Sequence, residues 1–288
     1  MTLTAEKKID DPLLEINDDI KATLRVSVVP MPFRLWSKNP PLLELLWSRL
    51  KPNLETRYIE YAADRIRKQA VRMVSMHRVA HGIHADDISL FTIQKSRLVI
   101  NVHHYINPKI SIIVSALVEA LQNRTFQPVK DPRLGACIPR GVPPEMAIIP
   151  LLEEPSLGHN KRILLKEIQR TLTLPDISTE YLGLAHCDGY LEKAWSELQP
   201  FTQTSTYWTF SESLQLLTRT LVHGLPLPLD LRWGDFGRIG IAGLEILNEI
   251  IPFQDALPRL ILNMAALKVG LDGVDKASRS PYPIEDSN

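Results

Sequence analysis

The chain reads as an all-α protein built from two repeated helical units, and three features of its 288 residues predict that fold. The first is an internal match. "TLRVSVVPMPFRLWSKNPPLLELLWSRLKP" from Thr23 lies without a gap on "TLTLPDISTEYLGLAHCDGYLEKAWSELQP" from Thr171. Thr23/Thr171, Leu24/Leu172, Leu43/Leu191, Glu44/Glu192, Trp47/Trp195, Ser48/Ser196, Leu50/Leu198 and Pro52/Pro200 are identical, all 148 residues apart. Solenoid arrays repeat every 20 to 50 residues or so, so a period this long marks a duplicated domain. The second feature is apolar spacing of three and four, the stripe of an amphipathic helix. The third is that no segment alternates apolar and polar residues between hairpin turns, as strands would.

In chain order, Tyr58, Tyr61, Ala62, Ile66, Ala70, Met73 and Val74 set the stripe of a helix over Leu54 to His81. Pro52 and Asn53 supply its start and Gly82 of "HGI" its stop. Asp86 or Asp87 then caps the next helix. In the second unit the run "SESLQLLTRTLV" closes at His223 and Gly224, where the spacing from His81 has slipped to 142 and implies a short indel. The 148 spacing returns in "HYINPKISIIVSALVEAL" and "PFQDALPRLILNMAALKV", which pairs Tyr105 with Phe253 and Asn107 with Asp255. Between the units, Pro128, Pro132, Pro139, Pro143, Pro144, Pro150 and Pro155 with Gly135, Gly141 and Gly158 forbid a continuous helix. The expected organisation is a first helical repeat over 1–121, a Pro/Gly-rich linker over 122–160 wrapped on the surface, and a second repeat over 161–288.

Composition excludes several function classes. With 44% hydrophobic residues the chain can bury a substantial core, and 33 basic residues balance 33 acidic ones. That leaves no field to collect nucleic acid or an anionic membrane. The most apolar window, "ISIIVSALVEAL", is too short and too interrupted to span a bilayer. The N-terminus "MTLTAEKKIDDPLLEINDDI" is polar where a secretory signal needs an apolar run. Cys137 and Cys187 lack the spacing of a disulfide framework or zinc site. A cytoplasmic monomer or homodimer acting on a small molecule fits these features.

Few residues stand out for chemistry. His77, His81 and His84, with His103 and His104 a helix away, suit a metal in type, but no carboxylate motif completes the set and Gly82 interrupts the helix, so no metal is expected. His81 recurring as His223 points to helix C-termini, where imidazole meets exposed carbonyls. No phosphate-binding glycine loop, dinucleotide fingerprint or nucleophile elbow appears, and no cofactor is indicated. Trp47 and Trp195 read as packing anchors, and Arg57, Arg65 and Arg67 as a solvated helix face.

The sharpest signal is where the two units diverge. "VVPMPF" in the first faces "DISTEY" in the second, so Pro30, Met31 and Pro32 stand opposite Ser178, Thr179 and Glu180. Asp176 or Ser178 as helix cap, with Glu180 in the favourable first turn, explains the change by helix initiation alone. The alternative makes Glu180 a general base in a cleft between the units.

The C-terminal "LDGVDKASRSPYPI", the "NPK" at Asn107, the "HGLP" at His223 and the linker "IPRGVPPEM" resemble the DehI-type (group I) 2-haloacid dehalogenases over nearly the whole chain. The resemblance implies an all-helical pseudo-dimer with one active site between its halves. It further implies hydrolytic removal of halogen from C2 of a 2-haloacid by an activated water, with inversion and no covalent intermediate. The family's base is an aspartate following a serine, helped by the asparagine of the "NP" motif. In this sequence those positions are Glu180, Thr179 and Asn107. Thr179, with Ser178 before it, is the expected contact for the substrate carboxylate.

The family lines its pocket with aromatic and phenolic side chains at positions that here carry Val28, Met31, Ile110 and Phe253. The expected pocket is therefore wider or differently shaped. Two further readings follow: the same scaffold acting on a larger carboxylic acid as a lyase, cyclase or hydrolase, and a binding relative without chemistry.

Overall fold

The computed structural model describes residues 12–77, 88–124, 126–146 and 157–284, and among them it is helical with no strand. In order the helices are α1 (Pro12–Leu24), α2 (Met31–Trp36), α3 (Pro40–Leu54), α4 (Arg57–Met76), α5 (Leu90–Leu121) and α6 (Pro132–Gly135). They continue with α7 (His159–Thr171), α8 (Thr179–Ala185), α9 (Tyr190–Thr202), α10 (Ser205–His223), α11 (Trp233–Arg238) and α12 (Gly243–Ala277). None is long and apolar enough to cross a membrane.

The core forms where α5 and α12 cross, flanked by α4 and α10. Every residue of α5 from Val102 to Leu121 is buried, as is every residue of α12 from Ala256 to Val269. A helix with neighbours all round has no solvent face to keep polar, which is why these runs lack a polar stripe. By contrast α4 is amphipathic: Tyr58, Ala62, Ile66, Ala70, Met73 and Val74 are buried while Tyr61 is exposed. The two tryptophans each donate to a carboxylate 28 positions earlier, Trp47 Nε1 to Asp19 at 2.7 Å and Trp195 Nε1 to Glu167 at 3.0 Å.

Several local expectations change. Pro52 and Asn53 lie inside α3, and α4 starts after Thr56, whose extended backbone pairs with Cys137 and whose hydroxyl turns back to Asn53 O. That pairing takes Thr56 out of helical geometry, so the two helices cannot merge. Helix α4 ends at Met76; the anticipated stop at Gly82 and caps at Asp86 and Asp87 lie outside the described residues, as do His81 and His84. Ser89 caps α5 instead, accepting from Thr92 N. The first residues of α4 and α10, Arg57 and Ser205, stand 148 apart, while the slip to 142 rests on His81 and Gly82, which lie outside the described residues. His223 meets a carboxylate rather than bare carbonyls, its Nε2 lying 2.7 Å from Glu119.

Arg67 is 0% exposed, which overturns the solvated face expected for it. Pro108 has no N–H for the carbonyl four residues earlier, His104 O. Arg67 Nε donates to that carbonyl at 3.1 Å, and its guanidinium also reaches Tyr105 O and Asp64. A proline in the middle of α5 thus leaves an acceptor that a buried arginine on α4 satisfies.

The segment from Phe126 to Met146 runs across the surface. Gln127 N donates to His223 O, Arg57 N to Ala136 O, Ile138 N to Glu55 O and Gly141 N to Ala22 O.

Candidate active site

Four pieces of chain converge on one cavity of about 240 Å³: residues 26–34, the middle of α5, residues 174–183, and the stretch of α12 from Phe253 to Leu260. Val28, Met31, Asn107, Ile110, Ser178, Thr179, Glu180 and Phe253 all line it, so every residue singled out for the site in the sequence reaches the same space.

Helix α8 delivers Glu180 to the cavity wall, where the residue is 2% exposed. Its Oε1 accepts from Asn107 Nδ2 at 2.8 Å, and Oε2 lies 3.8 Å from His103 Nδ1. Asn107 itself is 6% exposed. His103 sits one turn before Asn107 on the same face of α5. Burial pushes the His103 imidazole below its usual range; the Glu180 carboxylate and the Asn107 side chain oppose that, and the Arg34 charge reinforces it. The result is a neutral imidazole beside a carboxylate.

Neighbouring contacts hold α8 in place. Asn263 on α12 donates to the Tyr181 hydroxyl at 2.7 Å and accepts from the Tyr207 hydroxyl of α10 at 3.2 Å. Gly183 lets α8 approach α5 so closely that a Cβ there would lie 2.9 Å from a methyl of Val99. Outside the cavity lining, Lys109 Nζ donates to Leu24 O at 3.2 Å and to Glu60 at 2.6 Å, and Tyr105 donates to Glu60 at 2.8 Å. These bonds tie the end of α1 to α5 just before the chain enters the cavity at Val26. Burial draws the Lys109 ammonium down to about 8, against the opposing pull of Glu60.

Helix capping does not account for Ser178. It occupies the N-cap position of α8, yet its side chain caps nothing and its buried Oγ has no hydrogen-bond partner. Asp176, at the exposed edge of the cavity, accepts from the adjacent Ile177 N–H. Arg34 and the non-metal setting of His103 went unread in the sequence. Their signals are helical spacings: Arg34 is three residues after Met31, and His103 four before Asn107, so each shares a face with a residue already selected. Among the described residues no cluster of three His, Cys, Asp or Glu side chains is arranged to hold a metal.

A protein-family model described as "Halocarboxylic acid dehydrogenase DehI" matches residues 27–181, a span that includes Asn107 and runs through Ser178, Thr179 and Glu180. The chain belongs to the DehI family. This family member is 28% identical over 283 residues to a configuration-inverting 2-haloacid dehalogenase of Alcaligenes xylosoxydans xylosoxydans, with 93% of this chain and 92% of the relative covered. It is also 28% identical to an (R)-2-haloacid dehalogenase of Pseudomonas putida, covering 91% and 90% of the two chains. In three dimensions it resembles a solved D-2-haloacid dehalogenase in complex with L-LA at a TM-score of 0.79 and 26% identity, over 93% of this chain and 95% of that one.

Proposed function

We propose that this DehI-family protein hydrolyses 2-halocarboxylic acids, with Glu180 as the base. The observation that carries the proposal is a buried carboxylate with one oxygen tied to Asn107 and the other beside a neutral His103, at the wall of a largely apolar cavity. The names of the aligned dehalogenases supply the substrate class.

Glu180 takes a proton from a water held between it and the Asn107 amide. The water oxygen attacks C2 from the side opposite the halogen, the carbon–halogen bond breaks with its electron pair leaving on the halide, and a 2-hydroxy acid of inverted hand results. Glu180 then passes the proton to solvent. Apolar walls favour this step because they strengthen the carboxylate's pull on the water proton.

The test is halide release from both enantiomers of 2-chloropropionate by the wild type and by Glu180→Gln. Glutamine keeps an acceptor for Asn107 and removes the base, so the fold is retained and the rate falls by roughly 10² to 10⁴, the usual worth of general base catalysis. Release undiminished in the folded variant would remove Glu180 from the mechanism.

A specific observation favours substrates larger than chloropropionate. Val28, Met31, Ile110 and Phe253, with Leu257 and Leu260, give the cavity of about 240 Å³ an apolar side. That is room for an acid with an extended apolar substituent at C2.

The two-unit organisation belongs to the same reading: repeats over 1–121 and 161–288 joined by 122–160. The matching Trp47–Asp19 and Trp195–Glu167 bonds support it, since both partners stand 148 residues apart. So do the starts of α4 and α10 at that spacing, and the backbone bonds between the 126–146 segment and helices of both halves. Cys137, exposed and unpaired, fits a reducing cytoplasmic setting.

A further inference from the structure

We infer that Arg34, assisted by Ser178, is the anion-binding residue of the cavity and clasps the carboxylate of the acid substrate. The inference takes the substrate class from the proposed function, but not the reaction.

Arg34 lines the cavity on α2. Its Nε is buried and finds no acceptor, and among the described residues no carboxylate pairs with its guanidinium. Burial alone depresses it, with no acid opposing that effect. A half-buried cation with no counter-ion among the described residues is costly in a folded protein and calls for an explanation. The other lining groups do not supply one. Glu180 is already engaged by Asn107, and Asp176 accepts from the adjacent Ile177 N–H.

A second idle donor lies on the same cavity. Ser178 is 6% exposed and its Oγ is buried without a partner. Two unsatisfied donors in a chamber that is otherwise largely apolar match the needs of one carboxylate, and a guanidinium fork suits that planar anion.

The arrangement also answers an electrostatic problem. Glu180 repels any anion entering its cavity, and attack at C2 brings a negative oxygen towards a carbon bearing a carboxylate. Arg34 is close enough for its charge to act on His103, the neighbour of Glu180. An acid anchored by Arg34 has its own charge offset, while its C2 remains free to face the water at Glu180 and Asn107.

The experiment compares binding of unreactive 2-methylbutanoate with that of its uncharged amide, by titration calorimetry, in the wild type and in Arg34→Gln, Arg34→Lys and Ser178→Ala. The wild type is expected to prefer the acid. Arg34→Gln is expected to weaken acid binding roughly 10- to 100-fold, as loss of a charged hydrogen-bond partner does, with the amide unchanged. Arg34→Lys recovers part of that loss, and Ser178→Ala gives a smaller one in the same direction. In halide release, the effect of Arg34→Gln falls mainly on KM.

Acid binding as tight in Arg34→Gln as in the wild type overturns the inference. So does an equal loss of acid and amide, or a wild type that binds neither. If the wild type binds the acid through Arg34 yet releases no halide from any 2-haloacid, the reaction assigned above fails and the anion site stands.

Discussion

Replacing His104 by glutamine isolates one buried proton-binding site and predicts how the fold responds to acid. His104 is 2% exposed, and its Nε2 lies 2.8 Å from Ala277 O at the end of α12. Burial, reinforced by the charges of Arg67 and Lys268, pushes its pKa down to about 3, against the raising effects of that backbone bond and of Asp272. In the unfolded chain a histidine titrates near 6.5 or so. Between these values the unfolded state carries the proton and the folded state does not, so stability rises with pH and is lost as pH falls below about 6.5. At about 1.36 kcal/mol per unit, lowering the pH from 7.5 to 5.0 costs about 2 kcal/mol from His104 alone.

For a chain of 288 residues that corresponds to a Tm lower by about 3 °C. His103 and His186 are also pushed down and shift stability the same way, but they are present in both proteins. Asp19, Glu60, Glu119 and Asp272 are held below the usual carboxylate range, so their contribution to stability is lost only at lower pH. Thermal melts at pH 7.5 and 5.0 are therefore expected to show a Tm drop smaller by about 3 °C in His104→Gln than in the wild type. Equal drops would show that His104 gains no proton on unfolding in this range, and would refute the reasoning.

Gly183→Ala places a Cβ against Val99, where overpacking costs about 1–3 kcal/mol and the gain in helix propensity returns about 1 kcal/mol. Because α8 must shift to relieve the contact, kcat/KM for halide release is expected to fall more than Tm does, with recovery in Gly183→Ala/Val99→Ala; activity unaffected by the single change would remove close packing at Gly183 from the positioning of Glu180. Along the series 2-chloropropionate, 2-chlorobutanoate and 2-chloropentanoate, each added methylene is expected to raise kcat/KM up to about fourfold, from about 0.8 kcal/mol per buried CH₂. A steady decline along the series would argue against the wide apolar pocket.

Local patterning was legible in the sequence wherever the signal repeats within a few residues. The stripe on α4 sorts buried from exposed positions, Tyr61 excepted, and the absence of alternating segments agrees with the helical fold. Divergence between "VVPMPF" and "DISTEY" singled out Ser178, Thr179 and Glu180, and the resemblance to the DehI-type dehalogenases, through its "NP" motif, singled out Asn107. The local cues work because helical periodicity and helix starts are governed by neighbours three and four residues away.

Tertiary structure alone decided the rest, because each remaining feature depends on partners far off in the chain. Arg67 carries the same chemistry as its exposed neighbour Arg65, and only the carbonyl released by Pro108, some forty residues later, explains its burial. Ser178 has the composition of a helix cap, but the packing around it leaves its hydroxyl idle at the cavity. Arg34 resembles any arginine in a short helix until α5, residues 174–183 and α12 enclose it with no counter-charge among the described residues. The sequence by itself determined which residue types stand in which helical registers. Enclosure, desolvation and the 2.8 Å approach of Asn107 to Glu180 depend on how a chain folds back over a separation of 73 positions, and no local pattern encodes that.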